Sequence, residues 1–530
     1  MQGRQRSERL ARALLDPAAY PEDGPVEHVE THISHVYLTG AHAYKIKKPI
    51  ELGFLDFSTL EKRRRFCEEE LRINRRLAPL VYLSVVPIAG TCDAPRVEGA
   101  GAAIEYAVKM RRFAQDDVLD RVADSGRLQA AHVDDLARQV AQFHRSAEIA
   151  GTEDGLGTAQ RVRSTAEQNI AQLEALVAGA ARSALERLGA WTREQGARLD
   201  STLAQRKAQG FVRECHGELH LGNIALFDGG IVVFDALEFD ASLRWTDTMN
   251  DVAFLSMDLR AHGRPDLAAR FVDACLSHSG DYDGLRVLRY YEVYRALVRA
   301  KVSALRAAQP GVDAHCRSAM MQRCAALVDL AVTIAQPPAR VLVLLHGVSG
   351  SGKTWGSQHM LEATGAVRIR SDVERKRMRS MAAGEPSGSD LDAGLYTQEI
   401  THATYARLEH LAQTILRAGY PVLVDATFLR AQQRDAFARI ARDERAAFRI
   451  ACFVADDDVL RERVRRRQAA GIDASEATLE VLERQLRTRE PLSEAEAACT
   501  MRFATATMSP AQIGEAACAL MHVRAGSVAP

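Results

Sequence analysis

The stretch Val341-Leu-Val-Leu-Leu345-His-Gly347-Val-Ser-Gly350-Ser-Gly352-Lys353-Thr354 decides the fold of the C-terminal part of the chain. Its apolar run predicts a buried strand, and a helix is expected to begin at Lys353. Between them the glycines match the pattern GxxxxGK[ST], in which backbone N–H groups curl around phosphate oxygens at a helix N-terminus. The sequence therefore predicts a nucleotide-binding P-loop at residues 347–354.

Eight consecutive residues form the expected contact with a nucleotide. They are Gly347, Val348, Ser349, Gly350, Ser351, Gly352, Lys353 and Thr354. Lys353 is expected to reach the outer phosphates of ATP, and the Thr354 hydroxyl is expected to bind Mg²⁺. The competing interpretation is a glycine-rich turn whose lysine is solvated, and the flanking strand and helix argue against it.

Two acids follow later strands of this part. Apolar segments at 367–369, 421–425 and 449–454 alternate with helical patterns, which predicts an α/β fold with a parallel sheet. Asp372 follows the first of these segments and Asp425 ends the second, so both are expected near the nucleotide. Asp372 is a candidate base for a substrate hydroxyl or, equally, a helix N-cap. Asp425 is a candidate for holding the metal or the acceptor, with a plain strand-end turn as the alternative.

A run of arginines lies near the C-terminal end of the same part. Arg463 and Arg467 share a helical face, which could close over a transferring phosphate, although a solvated basic helix is the commoner meaning of such a run. Residues 341–503 together resemble the small P-loop kinases of the polynucleotide-kinase, gluconate-kinase and zeta-toxin-like group. The resemblance implies that Asp372 activates the acceptor and that Arg463 and Arg467 are lid arginines. It does not identify the acceptor.

Toward the N-terminus, the prolines in Ala335-Gln-Pro-Pro-Ala-Arg340 mark a break. We predict domains at 1–335 and 341–530, with a linker at 336–340. In the first domain, residues 36–38 and 43–47 read as a hairpin, a helix follows at 59–77, and residues 118–208 have helical spacing throughout. Strands first and helices later predict a two-lobed α+β domain.

The motif His216-Gly-Glu218-Leu-His-Leu-Gly-Asn223 is followed by a strand that ends at Asp235. In kinase-type catalysis a loop acid orients the acceptor hydroxyl, an asparagine five residues later binds Mg²⁺, and an aspartate on the next hairpin binds it from the other side. Glu218, Asn223 and Asp235 have this spacing. The loop resembles that of the aminoglycoside phosphotransferase family, HGDLHxxN, which has aspartate where this chain has Glu218.

Ala43-Tyr-Lys45-Ile-Lys47 resembles the strand that carries the ATP-binding lysine in kinase-like folds. Strand alternation places Lys45 and Lys47 on one face, and Lys45 is favoured with Lys47 as the alternative. On the following helix, Glu70 is the candidate partner of that lysine, with Glu69 as the alternative. A solvated strand and an exposed helical acid are the competing interpretations. No glycine-rich loop precedes the hairpin, which argues against a protein kinase.

The whole arrangement resembles the bacterial bifunctional proteins that fuse an aminoglycoside phosphotransferase-like domain to an ATP-binding P-loop domain. It implies two ATP- and Mg²⁺-dependent phosphotransferases in tandem, each with a small hydroxylated acceptor of unknown identity. Two alternatives remain open. The first domain could be a pseudokinase sensor that regulates the second, because Glu218 replaces aspartate, or the second could be a P-loop ATPase switch whose acceptor is water.

Composition constrains location and partners. The chain has 530 residues with 69 basic and 69 acidic side chains, so its formal net charge is zero and it shows no clear nucleic-acid surface. The nine cysteines are scattered without metal-ligand spacing, as in a cytosolic protein. We find neither a signal peptide nor an apolar run approaching the ~20 residues that cross a bilayer. We therefore expect a cytoplasmic protein without a membrane partner, and the oligomeric state is not predicted. A Gly/Ser-bearing patch near 383–389 is predicted to be a loop.

Overall fold

The computed structural model describes residues 2–51, 55–381, 398–470 and 477–522. The chain packs as two compact units: unit 1 comprises Met1–Gln168 with Gly196–Asp258, and unit 2 comprises Asn169–Gln195 with Leu259–Pro530. The segment between 259 and 335 therefore packs with the P-loop part of the chain. The linker predicted at 336–340 stays a prediction, and the loop predicted near 383–389 lies outside the described residues.

Unit 1 contains a six-stranded antiparallel sheet in the order β1-β2-β3-β6-β4-β5. Its strands are β1 (Glu27–Glu30), β2 (Ser34–Leu38), β3 (His42–Lys47), β4 (Tyr82–Thr91), β5 (Ala94–Val97) and β6 (Glu105–Arg111). The predicted hairpin is confirmed, since β2 pairs with β3 and Val36 lies opposite Lys45. The alternation along β3 directs both lysines of this strand to one face, where they meet the helix that follows.

The helices of the first half of the chain are α1 (Gln2–Ala13), α2 (Leu60–Asn74), α3 (Leu119–Asp124), α4 (Ala130–Ser146), α5 (Ala159–Glu174), α6 (Gly179–Arg198), α7 (Asp200–Ala208), α8 (Ala241–Arg244) and α9 (Thr248–Ala261). Thr59 caps α2, as its side chain accepts a hydrogen bond from Lys62 N. The expectation of helix throughout 118–208 is wrong at 147–158. There the glycines at 151, 155 and 157 favour turns over helix.

Four short strands flank the HGELHLGN loop and Asp235 in unit 1. They are β7 (Val212–Glu214), β8 (Ile224–Phe227), β9 (Gly230–Val233) and β10 (Trp245–Asp247). β8 and β9 form a hairpin, and a 3₁₀ turn at Leu221–Asn223 leads into it. This hairpin places the end of the HGELHLGN loop beside the residues that follow β9, because Phe234 N donates to Asn223 O at 2.9 Å.

Unit 2 is built on a parallel five-stranded sheet in the order β12-β13-β11-β14-β15. The strands are β11 (Val341–His346), β12 (Val367–Arg370), β13 (Val422–Asp425), β14 (Ala447–Val454) and β15 (Thr500–Ala504). The predicted α/β fold with a parallel sheet is confirmed, since every pairing in it is parallel. β11 lies in the centre, so the P-loop that follows it is at the carboxyl edge, where ligands of such sheets bind. β15 was missed because it is short and only partly buried.

The helices of unit 2 after residue 261 are α10 (Pro265–Ser279), α11 (Leu285–Ala307), α12 (Ala314–Ala335), α13 (Lys353–Thr364), α14 (Ser371–Arg377), α15 (Gln398–Arg417), α16 (Ala431–Asp443), α17 (Asp457–Ala470), α18 (Leu479–Thr488), α19 (Glu494–Ala498) and α20 (Pro510–His522). Among the described residues, α12 has the length and apolar composition of a membrane span, contrary to the expectation from the sequence. One such helix is weak evidence, because core helices of soluble proteins pass the same test. Here α12 packs along α11.

Candidate active sites

The P-loop backbone has a conformation that only glycine adopts easily. Gly350 and Gly352 have φ angles of 82° and 87°. A Cβ atom on Gly352 would lie 2.9 Å from Thr505 Oγ1, and one on Gly350 would lie 2.9 Å from the Leu460 carbonyl oxygen. Because side chains at these positions would be both strained and blocked, the loop must keep its glycines and its N–H groups exposed at the start of α13.

Lys353 is the first residue of α13, and its side chain folds back over the loop. Its Nζ donates hydrogen bonds to the carbonyl oxygens of Gly347 and Val348 at 2.8 and 2.9 Å. Burial lowers the pKa of Lys353, and the charges of Asp425 and Asp372 partly oppose this effect. An anionic ligand stabilises a buried cation of this kind, because its negative charge offsets the free-energy cost of burial. The position of Lys353 therefore suits the outer phosphates of a nucleotide.

Thr354 and Asp425 meet at the carboxyl edge of neighbouring strands. Thr354 Oγ1 donates to Asp425 Oδ2 at 3.0 Å, and Arg370 Nε lies 3.8 Å from the same oxygen. A hydroxyl beside a carboxylate offers hard oxygen ligands, the donor set that Mg²⁺ prefers. The pair therefore fits a metal that would be held next to the P-loop.

Asp372 lies in the first turn of α14, not at its N-cap. The N-cap is Arg370, and the Asp372 carboxylate instead accepts a hydrogen bond from Arg375 Nη1 at 3.0 Å. Arg375 is largely buried, and the sequence alone gave no reason to select it. The structure thus places Asp372 as a carboxylate whose direction is fixed by the guanidinium group of Arg375.

The two predicted lid arginines reach the same region from α17. Arg463 donates to Thr505 Oγ1 at 2.8 Å and to the Gly350 carbonyl oxygen at 3.3 Å, and Arg467 donates to the Ala477 carbonyl oxygen at 2.8 Å. Arg463 thus contacts the P-loop, and Arg467 lines the same cavity, which argues against a merely solvated basic helix.

A single cavity of about 360 Å³ joins these groups. Its lining includes Ser349, Gly350, Gly352, Lys353, Thr354, Trp355, Ser371, Asp372, Arg375, Thr401, Tyr405, Asp425, Thr427, Gln433, Arg463, Arg467 and Gln485. Sequence reasoning missed Gln485, whose Oε1 accepts from Ser349 N at 2.7 Å, and Thr505, whose hydroxyl donates to the Ser351 carbonyl oxygen at 2.8 Å. Both lie more than 130 residues after the loop, so no local pattern could indicate them.

In unit 1, both candidate lysines contact the same carboxylate. Lys45 Nζ lies 2.8 Å from Glu70 Oε1 and 2.5 Å from Asp235 Oδ1, while Lys47 Nζ lies 2.7 Å from Glu70 Oε2 and also pairs with Glu238. Glu69, the alternative partner, instead binds Arg72. The helical acid brought to the lysines is therefore Glu70.

The lysines and glutamates of this cluster are buried, and each lies next to a group of opposite charge. Burial by itself would raise the pKa of Glu70, but the charges of Lys45 and Lys47 lower that pKa to about 2. Burial raises the pKa of Glu238 in spite of Lys47. Glu238 was missed by sequence reasoning, although an acid three residues after Asp235 in an otherwise apolar segment is a usable signal.

The loop residues Glu218 and Asn223 are linked to Asp235 through the backbone. Asn223 Nδ2 donates to the Glu218 carbonyl oxygen at 3.0 Å and lies 3.5 Å from the Asp235 carbonyl oxygen. Asp235 has a positive φ of 59°, and its N–H donates to the Tyr82 hydroxyl at 3.1 Å. The Glu218 carboxylate lies 3.7 Å from His220 Nε2. Two lysines therefore meet Glu70, Asp235 and Glu238 in one cluster. The amide of Asn223 lies beside the backbone of Glu218 and Asp235, and lysine, acids and amide are the groups that kinase-type transfer uses.

Asp251 braces this loop from α9. Its oxygens accept hydrogen bonds from His216 N at 2.8 Å and Gly217 N at 3.0 Å, and His144 Nε2 lies 3.1 Å from Oδ2. His144, Cys215 and Asp251 lie close enough to hold a metal. However, Asp251 already has these partners, and burial raises the pKa of the Cys215 thiol well above its ordinary value, so we interpret the cluster as structural.

This brace predicts a pH-dependent contribution to stability. Burial alone would raise the pKa of Asp251, but the hydrogen bond and charge of His144 and the contacts with His216 hold it at about 2, below the ordinary 3.8. Because the folded pKa is depressed, the contribution of about 2 kcal/mol is present above pH ~4 and is lost as the pH falls toward 2. Urea unfolding of wild type and Asp251→Asn should show a constant stability gap from pH 7 to 5 that shrinks below pH 4.

The fully exposed Asp458 supplies the control for this experiment. Asp458→Asn should differ from wild type by less than ~0.5 kcal/mol at every pH, because surface substitutions rarely matter more. A gap for Asp251→Asn that widens on acidification would contradict the assignment.

Comparison with known proteins agrees with this geometry. The model of the phosphotransferase enzyme family matches residues 55–288, which include Glu70, the HGELHLGN loop and Asp235 and begin after the strand that carries Lys45 and Lys47. The model of an AAA domain matches residues 342–492, which include the P-loop, Asp372, Asp425 and the lid arginines. The last 30 residues of the first match lie in unit 2.

Relatives are similar to this chain over most of its length. Uncharacterized proteins of Mycobacterium tuberculosis and Mycobacterium bovis are each 31% identical over 455 residues, which cover 84% of this chain and 87% of theirs. A choline/ethanolamine kinase family protein from Mesorhizobium loti is 12% identical, covering 62% of this chain and 98% of its own, with a TM-score of 0.38. A gluconokinase from Sinorhizobium meliloti is 21% identical, covering 35% and 93%, with a TM-score of 0.25. The chain therefore belongs to the same family as these mycobacterial proteins, and it is an ATP-dependent phosphotransferase in which an aminoglycoside phosphotransferase-like domain precedes a P-loop domain.

Proposed function

We propose that the chain is a cytoplasmic tandem kinase, in which each part transfers the γ-phosphate of ATP to a hydroxyl of a small acceptor. The observation that carries the proposal is the cavity of unit 2. One cavity is lined by a phosphate-binding lysine, a metal-type oxygen pair, an ion-paired carboxylate and two arginines. The nine cysteines, all free thiols, support a reducing compartment.

In unit 2 different residues bind the phosphates, hold the metal, accept the proton and stabilise the transition state. The P-loop N–H groups and Lys353 hold the phosphates, and the oxygens of Thr354 and Asp425 suit Mg²⁺. Mg²⁺, when bound, neutralises charge on the phosphate oxygens. The oxygen of the acceptor hydroxyl bonds to the γ-phosphorus, and the bond between that phosphorus and the departing ADP oxygen breaks. Asp372 accepts the proton that the acceptor hydroxyl loses. Arg463 and Arg467 stabilise the negative charge that develops.

In unit 1 the same chemistry uses different groups. Lys45, held by Glu70, is the favoured ATP lysine because it also contacts Asp235 and its side chain is 10% exposed, whereas the Lys47 side chain is fully buried between Glu70 and Glu238. Asn223 and Asp235 would hold Mg²⁺, and Glu218 would orient the acceptor hydroxyl. The longer side chain of Glu218 is accommodated next to His220.

Acceptor-dependent ATP turnover by the full-length chain tests the proposal for unit 2. Asp372→Asn, in a chain that also carries Asp235→Asn to silence unit 1, should lower acceptor-dependent ADP release about 10²-fold or more, since general base catalysis contributes that much. Sugars, nucleosides, nucleic-acid ends and aminoglycosides form the acceptor panel. Asp458→Asn serves as the matched control and should match wild type, because Asp458 is an exposed acid that pairs with Arg461 on the same helix, α17.

Two outcomes would favour the rival interpretations. Phosphate release that no acceptor stimulates, and that Asp372→Asn leaves unchanged, would indicate a P-loop ATPase switch. For unit 1, a large gain of phosphotransfer by Glu218→Asp over an inactive wild type would indicate a degenerate site that acts as a sensor.

A further inference from the structure

We propose that Asp273 positions the P-loop helix through Arg368, so that the P-loop site requires a helix from the segment matched by the phosphotransferase enzyme family. The inference rests on the proposed function of unit 2, namely MgATP binding by Lys353 and Thr354. It concerns contacts made entirely within unit 2.

The carboxylate of Asp273, on α10, holds Arg368 of β12 at two points. Asp273 Oδ1 accepts from the Arg368 backbone N at 2.9 Å, and Oδ2 accepts from Arg368 Nη2 at 3.0 Å. The two side chains are 6% and 9% exposed. A buried, charge-assisted pair of this kind fixes both the strand and the direction of the guanidinium group.

The other contacts of that guanidinium group are on the first turns of α13. Arg368 Nη1 donates to Ser357 Oγ at 3.0 Å and to the Thr354 carbonyl oxygen at 3.3 Å, and Nη2 donates to Gln358 Oε1 at 2.9 Å. Thr354 in turn donates its hydroxyl to Asp425. A continuous chain of polar contacts therefore runs from Asp273 through Arg368 to the residue that is proposed to bind Mg²⁺.

Burial explains why the series of polar contacts from Arg368 to Thr354 depends on Asp273. With the carboxylate removed, Arg368 would be a buried cation without its counter-charge, a state that a protein relieves by moving the side chain toward water. Such a movement withdraws the donors from Thr354 and Ser357. A shift of the helix start by a fraction of an ångström is enough to impair phosphoryl transfer, because reacting groups must be held in near-attack geometry.

Packing shows that α10 is an integral part of the P-loop unit. Ala269 of α10 belongs to the same buried apolar cluster as Val343 and Leu345 of β11 and Leu361 of α13. The Ser277 carbonyl oxygen accepts from Arg377 Nη2 at 2.5 Å. A fragment that begins at the predicted linker would lack all of these contacts, so the test uses the full-length chain.

The same two helices supply a matched control. Arg270 of α10 pairs with Glu362 of α13 at 2.7 Å, near the end of α13 that is distant in sequence from the P-loop. This pair joins α10 to α13 further along α13 than Thr354 and Ser357, which Arg368 contacts. Glu362 Oε1 also accepts a hydrogen bond from Gln358 Nε2 at 2.9 Å, which does not involve Arg270. Its loss tests the interface alone, whereas the loss of Asp273 tests the interface together with the position of the P-loop helix.

The experiment compares Asp273→Asn, Arg368→Lys and Arg270→Gln in full-length chains that also carry Asp235→Asn. We measure MgATP binding by calorimetry, the Mg²⁺ dependence of turnover, kcat and KM for ATP, and thermal unfolding. We expect Asp273→Asn and Arg368→Lys to lower kcat about 10-fold and to raise the Mg²⁺ concentration for half-maximal turnover. The double variant should lose no more than Asp273→Asn alone, since the two residues act in series. Arg270→Gln should lower the unfolding temperature yet keep wild-type Mg²⁺ and ATP dependence.

Each result decides a separate point. Wild-type Mg²⁺ dependence and kcat in both Asp273→Asn and Arg368→Lys would overturn the inference, and so would an equal kinetic loss in Arg270→Gln. If Asp273→Asn does not fold, Arg368→Lys decides alone, because lysine keeps a cation opposite Asp273 but cannot reach the three acceptors on α13. Failure of the parent Asp235→Asn chain to bind MgATP would instead overturn the proposed function of unit 2.

Discussion

Lys353→Ala is expected to lower ATP turnover by unit 2 about 10²- to 10³-fold, the loss typical of removing one preorganised charge-stabilising donor from a transfer site. The side chain is the cationic donor of the P-loop and lines the cavity with Asp372 and Asp425. The variant should fold normally. Burial lowers the pKa of Lys353, which means that the buried charge opposes folding, so its removal should not reduce the unfolding temperature.

The measurement is ADP release at saturating Mg²⁺ in a chain that also carries Asp235→Asn. Arg466→Ala is the matched control, because Arg466 is a cation on α17 that is 79% exposed and pairs with Glu462 of its own helix. Its turnover should equal that of the parent chain. Turnover by Lys353→Ala at the level of Arg466→Ala would show that phosphate is bound elsewhere in unit 2.

Asp235→Asn should lower phosphotransfer by unit 1 about 10²- to 10³-fold, the same range as is expected for Lys353→Ala in unit 2. The carboxylate is the group that Lys45 contacts at 2.5 Å and the proposed ligand of Mg²⁺. Asparagine tolerates the left-handed φ of 59° at this position and keeps the N–H bond to Tyr82, so the backbone should be preserved. Lys45 keeps Glu70 as its counter-charge.

ATP consumption is measured here in a chain that also carries Lys353→Ala, so that unit 2 does not contribute. Asp240→Asn provides the control from the same segment. Asp240 caps α8 by accepting from Ser242 N at 2.8 Å, and asparagine is an equally good N-cap. Asp240→Asn should therefore retain activity. If Asp235→Asn were as active as Asp240→Asn, the assignment of the metal site in unit 1 would be wrong.

The two sites differed in how much of each the sequence could predict. The P-loop is one contiguous segment with strict backbone requirements, so Gly350, Gly352 and Lys353 could be selected from the pattern alone. The cluster in unit 1 joins Lys45 to Asp235, which lies 190 positions later in the sequence. The sequence pattern there did not decide whether Lys45 or Lys47 is the ATP lysine, nor whether Glu70 or Glu69 is its partner. Side-chain placement brought Glu70 to both lysines and Glu69 to Arg72.

By itself the sequence determined the parallel α/β fold of the C-terminal part, the hairpin, the P-loop and the kinase-type loop, because periodicity, glycines and short motifs act over a few residues. Only the tertiary structure decided which side chains assist them. Glu238, Gln485, Thr505 and Asp273 contact residues that lie far away in the sequence, so no local pattern could pair them with these partners. Arg375 lies only three residues after Asp372, but its burial beside that carboxylate depends on the fold. The packing of residues 259–335 with the P-loop unit has the same cause, since an apolar helix face does not specify which core it joins.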